Sequence, residues 1–319
     1  MALAVGVDLG GTKCLGVALD EAGAVVAEHR LPTPTGGPAI LDTLAAVAAA
    51  VAAGGEVATL GVGAPGLVDG DGVLHAGANL PGVTMLAVAT ELGARIPGAA
   101  VRVENDASCA AWGEYVLGAA RGSHTAVVVT QGTGIGGGIL SGGRLFRGAH
   151  GFGGEIGHMV VCPDGPPCPC GKRGCWERYA AGSALGHRGR EAAAAGRGAA
   201  ILELAGGDAA AVRGEHVTAA AAAGDAEAME LVAQFAWWVA LGLGNLTELV
   251  DPDVIVLGGG LVEAGDTVLG PTRAAFRELV QGWAHRPEVR LVPAELGERA
   301  GAIGAADLAR QPADVGPGA

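Results

Sequence analysis

The chain has 319 residues, half of them apolar but only 3% aromatic, with 58 glycines and a formal net charge of −13. That length accommodates two domains, and so acidic a chain is not expected to bind nucleic acid or an anionic membrane. No apolar run reaches the ~18 residues of a spanning helix and no basic leader opens the chain, so a soluble, cytoplasmic protein is expected, whose six cysteines are free thiols or metal ligands.

Ala4–Leu9 reads as a buried strand, Cys14–Leu19 as a second strand after a glycine turn, and Val25–Arg30 as the third strand of a meander. Ala39–Ala53 has a helical pattern, and Leu60–Ala64 is a short apolar strand. Val101–Glu104 is a strand running into a helix over Ala107–Leu117. A second series then begins, with a strand at His124–Thr130, a glycine turn over Gly132–Gly138 and a strand or hairpin over Ile139–Phe146. Residues 184–228 are Ala-rich and helical, Leu231–Leu249 is a long apolar helix, and Val254–Leu257 is a strand ending in Gly258-Gly259-Gly260. Strand, glycine turn and strand recur at Val5–Val17 and Ala126–Leu140, an internal repeat that predicts two related α/β halves.

Three glycine turns each follow an apolar strand. In Asp8-Leu9-Gly10-Gly11-Thr12-Lys13 the glycines let backbone approach an anion, Thr12 can donate a hydroxyl, and Asp8 can hold hydrated Mg²⁺. Lys13 could touch a phosphate, but a solvated lysine is the safer reading. The second turn, Gly132-Thr133-Gly134 onward, contains a G-x-G-x-x-G match, but a strand follows where a dinucleotide fingerprint needs a helix. Gly258, Gly259 and Gly260 have room for a nucleoside. A tight hairpin explains any one of these turns; three together point to a nucleotide site.

His158, Cys168, Cys170 and Cys175 have the spacing of a Cys₃His structural zinc site, with Cys162 as a competing fourth ligand. Glu155 and Glu177 are interleaved with them, and Glu155 and His158 at i, i+3 share one face of a helical turn. Asn105-Asp106 stands where a strand meets a helix, so it is either a helix N-cap pair or a carboxylate aimed at a ligand.

The strings Asp8–Lys13, Thr130–Gly138 and Val256–Gly260 resemble the two phosphate motifs and the adenosine motif of the actin/hexokinase superfamily. Gly148–Met159 followed by Cys168-Pro-Cys-Gly-Lys-Arg-Gly-Cys-Trp-Glu177 resembles the signature of the ROK family of repressors and sugar kinases, most of all its bacterial ATP-dependent, zinc-containing glucokinases, and the likeness runs from residue 5 to about 305. The resemblance implies a two-domain actin/hexokinase-like (ribonuclease H-like) α/β fold with a central ligand cleft. Residues 1–118 would form the small domain, with 300–319 returning to it through the helix Ala300–Arg310, and 119–299 the large domain. It implies ATP-dependent phosphorylation of a hexose, most of all glucose, at the 6-hydroxyl, with Mg²⁺ and a structural Zn²⁺. Asp106 would be the catalytic base, and Asn79, Asn105, Asp106, Glu155, His158 and Glu177 would hold the sugar, His158 binding zinc through its other nitrogen. The family also implies a homodimer or homotetramer. Kinases for N-acetylglucosamine, N-acetylmannosamine, mannose or fructose remain alternatives, as does a sugar sensor that does not bind DNA. The family's repressors carry an extra N-terminal helix-turn-helix domain, for which the residues before Asp8 leave no room. Its polyphosphate-using glucokinases usually lack the cysteine cluster.

Overall fold

A computed structural model describes residues 3–77 and 80–312. It opens with β1 (Leu3–Leu9), β2 (Lys13–Leu19) and β3 (Val25–Pro32), then α1 (Gly37–Ala52) and β4 (Val57–Ala64). The short strands β5 (Leu67–Val68), β6 (Leu74–Ala76) and β7 (Thr84–Leu86) precede α2 (Val88–Arg95), β8 (Ala100–Asn105) and α3 (Asp106–Val116). The second series is β9 (Thr125–Gln131), β10 (Ile135–Ser141) and β11 (Arg144–Leu145), then α4 (Glu177–Ala180), α5 (Gly182–Ala194), α6 (Ala199–Leu204), α7 (Gly214–Ala222) and α8 (Ala226–Val250). β12 (Val254–Gly258), α9 (Asp266–Leu279), β13 (Arg290–Pro293) and α10 (Ala300–Arg310) complete it.

Among the described residues two five-stranded sheets form, ordered β3-β2-β1-β4-β8 and β11-β10-β9-β12-β13, beside a small β5-β6-β7 sheet. The two orders are identical in sequence terms, so the repeat read from the glycine turns is a repeat of topology. In each, an antiparallel hairpin gives way to parallel strands.

The chain forms two compact units. The first comprises residues 1–122, 138–154 and 295–319, and the second 123–137 and 155–294. Residues 138–154, assigned to the second half from sequence, group with the first. Gly138 packs on Ala111, Arg147 pairs with Glu104, and Gly151 lies against Asp69. The glycine turn expected over Gly132–Gly138 is also shorter, because β10 already begins at Ile135. Gly137 and Gly138 are strand residues whose missing side chains leave room for Ile156 and Ala111 respectively.

In the first unit, alternation along β1 turns Val5, Val7 and Leu9 toward a core shared with Ile40, Leu44 and Val47 of α1. Ala4 turns the other way, into a cluster with Leu15, Val17, Ala302, Ile303 and Ala306. There α10 lies almost on the sheet: a Cβ at Gly61 would overlap the Ala305 carbonyl, and one at Gly304 would overlap the Cys109 carbonyl of α3. In the second unit β9 and β12 are buried apolar runs, as parallel strands covered on both faces should be. α8 starts five residues before its apolar stretch because Asp225 caps it, accepting from Ala228 N at 2.8 Å.

Candidate active site

In the first unit, β1, β4 and β8 run parallel in adjacent positions, pairing Asp8 with Gly63 and Gly63 with Glu104. Asp8 and Asp106 therefore sit at carboxyl ends of parallel strands of one sheet, where ligands of open α/β sheets bind. Asn105 is the N-cap of α3: its Oδ1 accepts from Ser108 N at 2.9 Å and its amide donates to Gly66 O at 3.2 Å. The capping reading of Asn105 is thus correct. Asp106 is the first residue of the helix, its Oδ1 accepting from Ala107 N at 2.8 Å.

Burial pushes the Asp106 carboxyl above the usual aspartate range. Asp8 is pushed further, to about 7, by burial first and by the Asp106 charge second, with Lys13 pulling the other way. Taken as whole residues, both are partly rather than fully buried. Space for the Asp8 carboxylate depends on Gly301, where a Cβ would come 2.8 Å from its carboxyl carbon.

The raised pKa of the Asp8 carboxyl makes stability depend on pH. Below pH ~4 its carboxyl is protonated in both folded and unfolded chains. From there to about 7 the unfolded chain gives up the proton while the folded one keeps it, so stability falls as pH rises and levels off above 7. Asp8→Asn is therefore expected to stabilise the ligand-free protein at pH 8, by roughly 1–3 kcal/mol once solvent screening is allowed for, and to have little effect at pH 4. Melting curves without Mg²⁺ or nucleotide at the two pH values check this; an equal change at both contradicts it.

The first glycine turn closes with Gly10 N donating to Lys13 O at 2.9 Å, and Thr33 Oγ1 donates to Gly10 O at 2.6 Å. Gly11 and Thr12 form its exposed tip. Lys13 is not simply solvated, because its ammonium pairs with Glu298, which also takes Arg30. Sequence reading missed Glu298, and no local signal marks a partner so distant in the chain. Asn79 lies outside the described residues.

In the second unit, parallel pairing of β9 with β12 sets Thr130 beside Gly258, so the second and third glycine turns leave neighbouring strands at the same end. Gly134 O accepts from Gly132 N at 3.0 Å, Gly132 O from Gly182 N at 2.9 Å, and Thr133 O from Ser183 Oγ at 2.6 Å. The start of α5 thus braces this turn, another support invisible to motif reading. Gly259 has φ +89°, and a Cβ there would overlap the Gln131 carbonyl, so the turn into Gly260 requires glycine.

His158 ends a single 3-10 turn, Ile156–His158, that starts after Glu155. Its Nδ1 lies 3.7 Å from Cys168 Sγ, and its Nε2 lies 3.9 Å from Glu155 Oε2. Cys170 and Cys175 sulfurs are 3.6 Å apart, and one ligand atom from each of His158, Cys168, Cys170 and Cys175 falls within 4.8 Å of all the others. A tetrahedral zinc with ordinary bond lengths sets two thiolates about 3.8 Å apart and a thiolate and imidazole about 3.5 Å apart. The four residues fit such an ion. Cys162 is not in the cluster; its thiol meets the Tyr179 hydroxyl instead.

The loop is held by Trp176, fully buried, whose Nε1 donates to Trp238 O at 2.7 Å and whose ring fills the space left by Gly242. That anchor flanks Cys175 and Glu177. Glu177 Oε1 accepts from the Cys168 thiol at 3.0 Å and lies 3.7 Å from His158 Nδ1, while its Oε2 would be 2.8 Å from a Cβ at Gly134. Glu177 therefore stands between the metal-ligand cluster and the second glycine turn.

The ROK family profile matches residues 4–312. The glucokinase of Streptomyces coelicolor is 39% identical over 315 residues, covering 98% of this chain and 99% of that protein. Among solved structures, a ROK family glucokinase from Streptomyces griseus in complex with glucose and AMPPNP matches with TM-score 0.87 and 39% identity, covering 98% of this chain and all of that one. A ROK hexokinase from Thermus thermophilus matches with TM-score 0.81 and 37% identity, covering 96% and 97%. With these glycine turns, this carboxylate pair and this cysteine cluster, the chain belongs to the ROK family and has its actin/hexokinase-like α/β fold.

Proposed function

We propose that the protein is a glucokinase: it transfers the γ-phosphoryl group of ATP to the 6-hydroxyl of glucose. The sugar oxygen bonds to the γ-phosphorus, the bond from that phosphorus to the β–γ bridging oxygen breaks, ADP leaves, and the hydroxyl proton passes to Asp106. The observation that carries the reading is the Asp8–Asp106 pair at the strand ends, in a chain similar over nearly its whole length to glucokinases. In a loose phosphoryl-transfer transition state the hydroxyl proton moves late, so a carboxylate of ordinary or slightly raised basicity suffices.

Asp8 would hold Mg²⁺, whose charge removes the cost of ionising a carboxylate beside Asp106. Backbone at Gly10, Gly11, Thr12, Gly132, Thr133 and Gly134 would take the phosphates, with Lys13 nearby, and Gly258, Gly259 and Gly260 the nucleoside. Asn79, Asn105, Glu155, His158 and Glu177 would bind sugar hydroxyls, which need acceptors in fixed arrays. His158, Cys168, Cys170 and Cys175 would hold a structural zinc, which fixes the tautomer of His158 and leaves Nε2–H free to donate. No disulfide joins any of the six cysteines, so all three in the cluster are available as ligands. The protein would be a homodimer or homotetramer, as the family resemblance implies.

A coupled assay with MgATP and a panel of hexoses tests the reading. Turnover is expected with glucose above N-acetylglucosamine, N-acetylmannosamine, mannose and fructose. Preference for another of these would reassign the substrate, and sugar binding without turnover would make the chain a sensor.

A further inference from the structure

Between β5 and β6 the Asp69 carboxylate performs two separate tasks. Its Oδ1 accepts from Asp71 N at 3.0 Å and Val73 N at 2.9 Å, which shapes the turn. Its Oδ2 meets His75 Nε2 at 2.6 Å. The turn is complete without His75, so the second contact serves something else. The His75 ring stands edge-on to Phe152, with centroids 5.3 Å apart and planes at 80°. Next to Phe152, Gly151 at φ +88° lies directly on the hairpin, where a Cβ would come 2.6 Å from Val68 O and 3.1 Å from Asp69 Cα. Behind this contact the loop closes on itself, Gly153 N donating to Arg147 O at 2.9 Å. Only two residues along the chain from Gly153 comes Glu155, and His158 follows on the same turn.

A histidine–aspartate pair at a surface is usually worth little. This one is half-buried, short, and in ring contact with a phenylalanine that is otherwise 37% exposed. We infer that His75, aligned by Asp69, is a positioning residue for hexose binding: by gripping Phe152 it holds the 147–153 loop, and so the backbone from which Glu155 and His158 project. This rests on the reading of Glu155 and His158 as sugar ligands.

Steady-state kinetics of the full chain tests it. His75→Ala and Phe152→Leu are each expected to raise KM for glucose about 2–10-fold, the range for a lost edge-to-face ring pair, with kcat and KM for ATP unchanged within about two-fold. Phe152→Tyr, which keeps the ring, is expected to restore wild-type KM. The double variant should do no worse than either single one, because the two residues act through one contact. An unchanged KM, a loss confined to kcat, or additive effects would overturn the inference. If His75→Ala does not fold, His75→Gln, which retains a donor for Asp69 but no ring, and the exposed Phe152→Leu carry the test. Hydrogen exchange over 147–153 reads the grip without turnover. Faster exchange in both variants, with no hexose phosphorylated by the wild type, would retire the kinase reading and keep the grip. Unchanged exchange would overturn the grip and leave that reading standing.

Discussion

Asp106→Asn is expected to lower kcat for glucose by about 10²–10⁴-fold, the usual contribution of a positioned general base. KM for glucose should stay within a few-fold of wild type. The substitution is isosteric, and its oxygen can still accept from Ala107 N, so the start of α3 keeps its geometry. What disappears is the ability to take the hydroxyl proton as the phosphoryl group arrives. Asn105, not Asp106, is the side chain that caps Ser108 N, so the loss of activity is not expected to come with a loss of helix stability. Kinetics with calorimetric glucose binding on the same protein separates chemistry from affinity. Retention of more than about a tenth of wild-type kcat would remove Asp106 from the base role.

Cys168→Ser is expected to release zinc and to lower the melting temperature by roughly 10 °C. Metal binding by such a cluster is coupled to folding, and each kcal/mol lost moves the transition of a domain this size by ~2–4 °C. Cys168 is the informative position: it is buried, lies against His158 Nδ1 and donates to Glu177. Losing the sulfur should therefore disturb His158 and Glu177, the two neighbours of Cys168, and KM for glucose should rise alongside. Elemental analysis and calorimetry check this together. About one zinc per chain both before and after substitution, with an unchanged transition, would refute the ligand set.

Much of the site was legible because its signals are local. The strand β1 is an apolar run stopped by Gly10 and Gly11, and α3 follows a strand at an Asn-Asp pair that is also a cap. His158, Cys168, Cys170 and Cys175 lie in one stretch of chain, so spacing alone singled them out, and their side chains do gather in one cluster. Where local signals have two causes the reading failed. Glycine clusters mark turns, yet Gly137 and Gly138 belong to a strand and are small because Ile156 and Ala111 pack on them. Likewise residues 138–154 follow the second glycine turn in sequence but pack on Glu104, Asp69 and Ala111.

The sequence by itself marked the meander β1–β3, the strands β4, β8, β9 and β12, the helices α1, α3 and α8, and the four residues His158, Cys168, Cys170 and Cys175 that gather in one cluster. All of these depend on residue types a few positions apart. Tertiary structure alone decided the electrostatic state of Asp8, the pairing of Lys13 with Glu298 and the grip of His75 on Phe152. Burial, Coulomb interaction and ring contact depend on distance through space, and here each pair of partners is far apart along the chain.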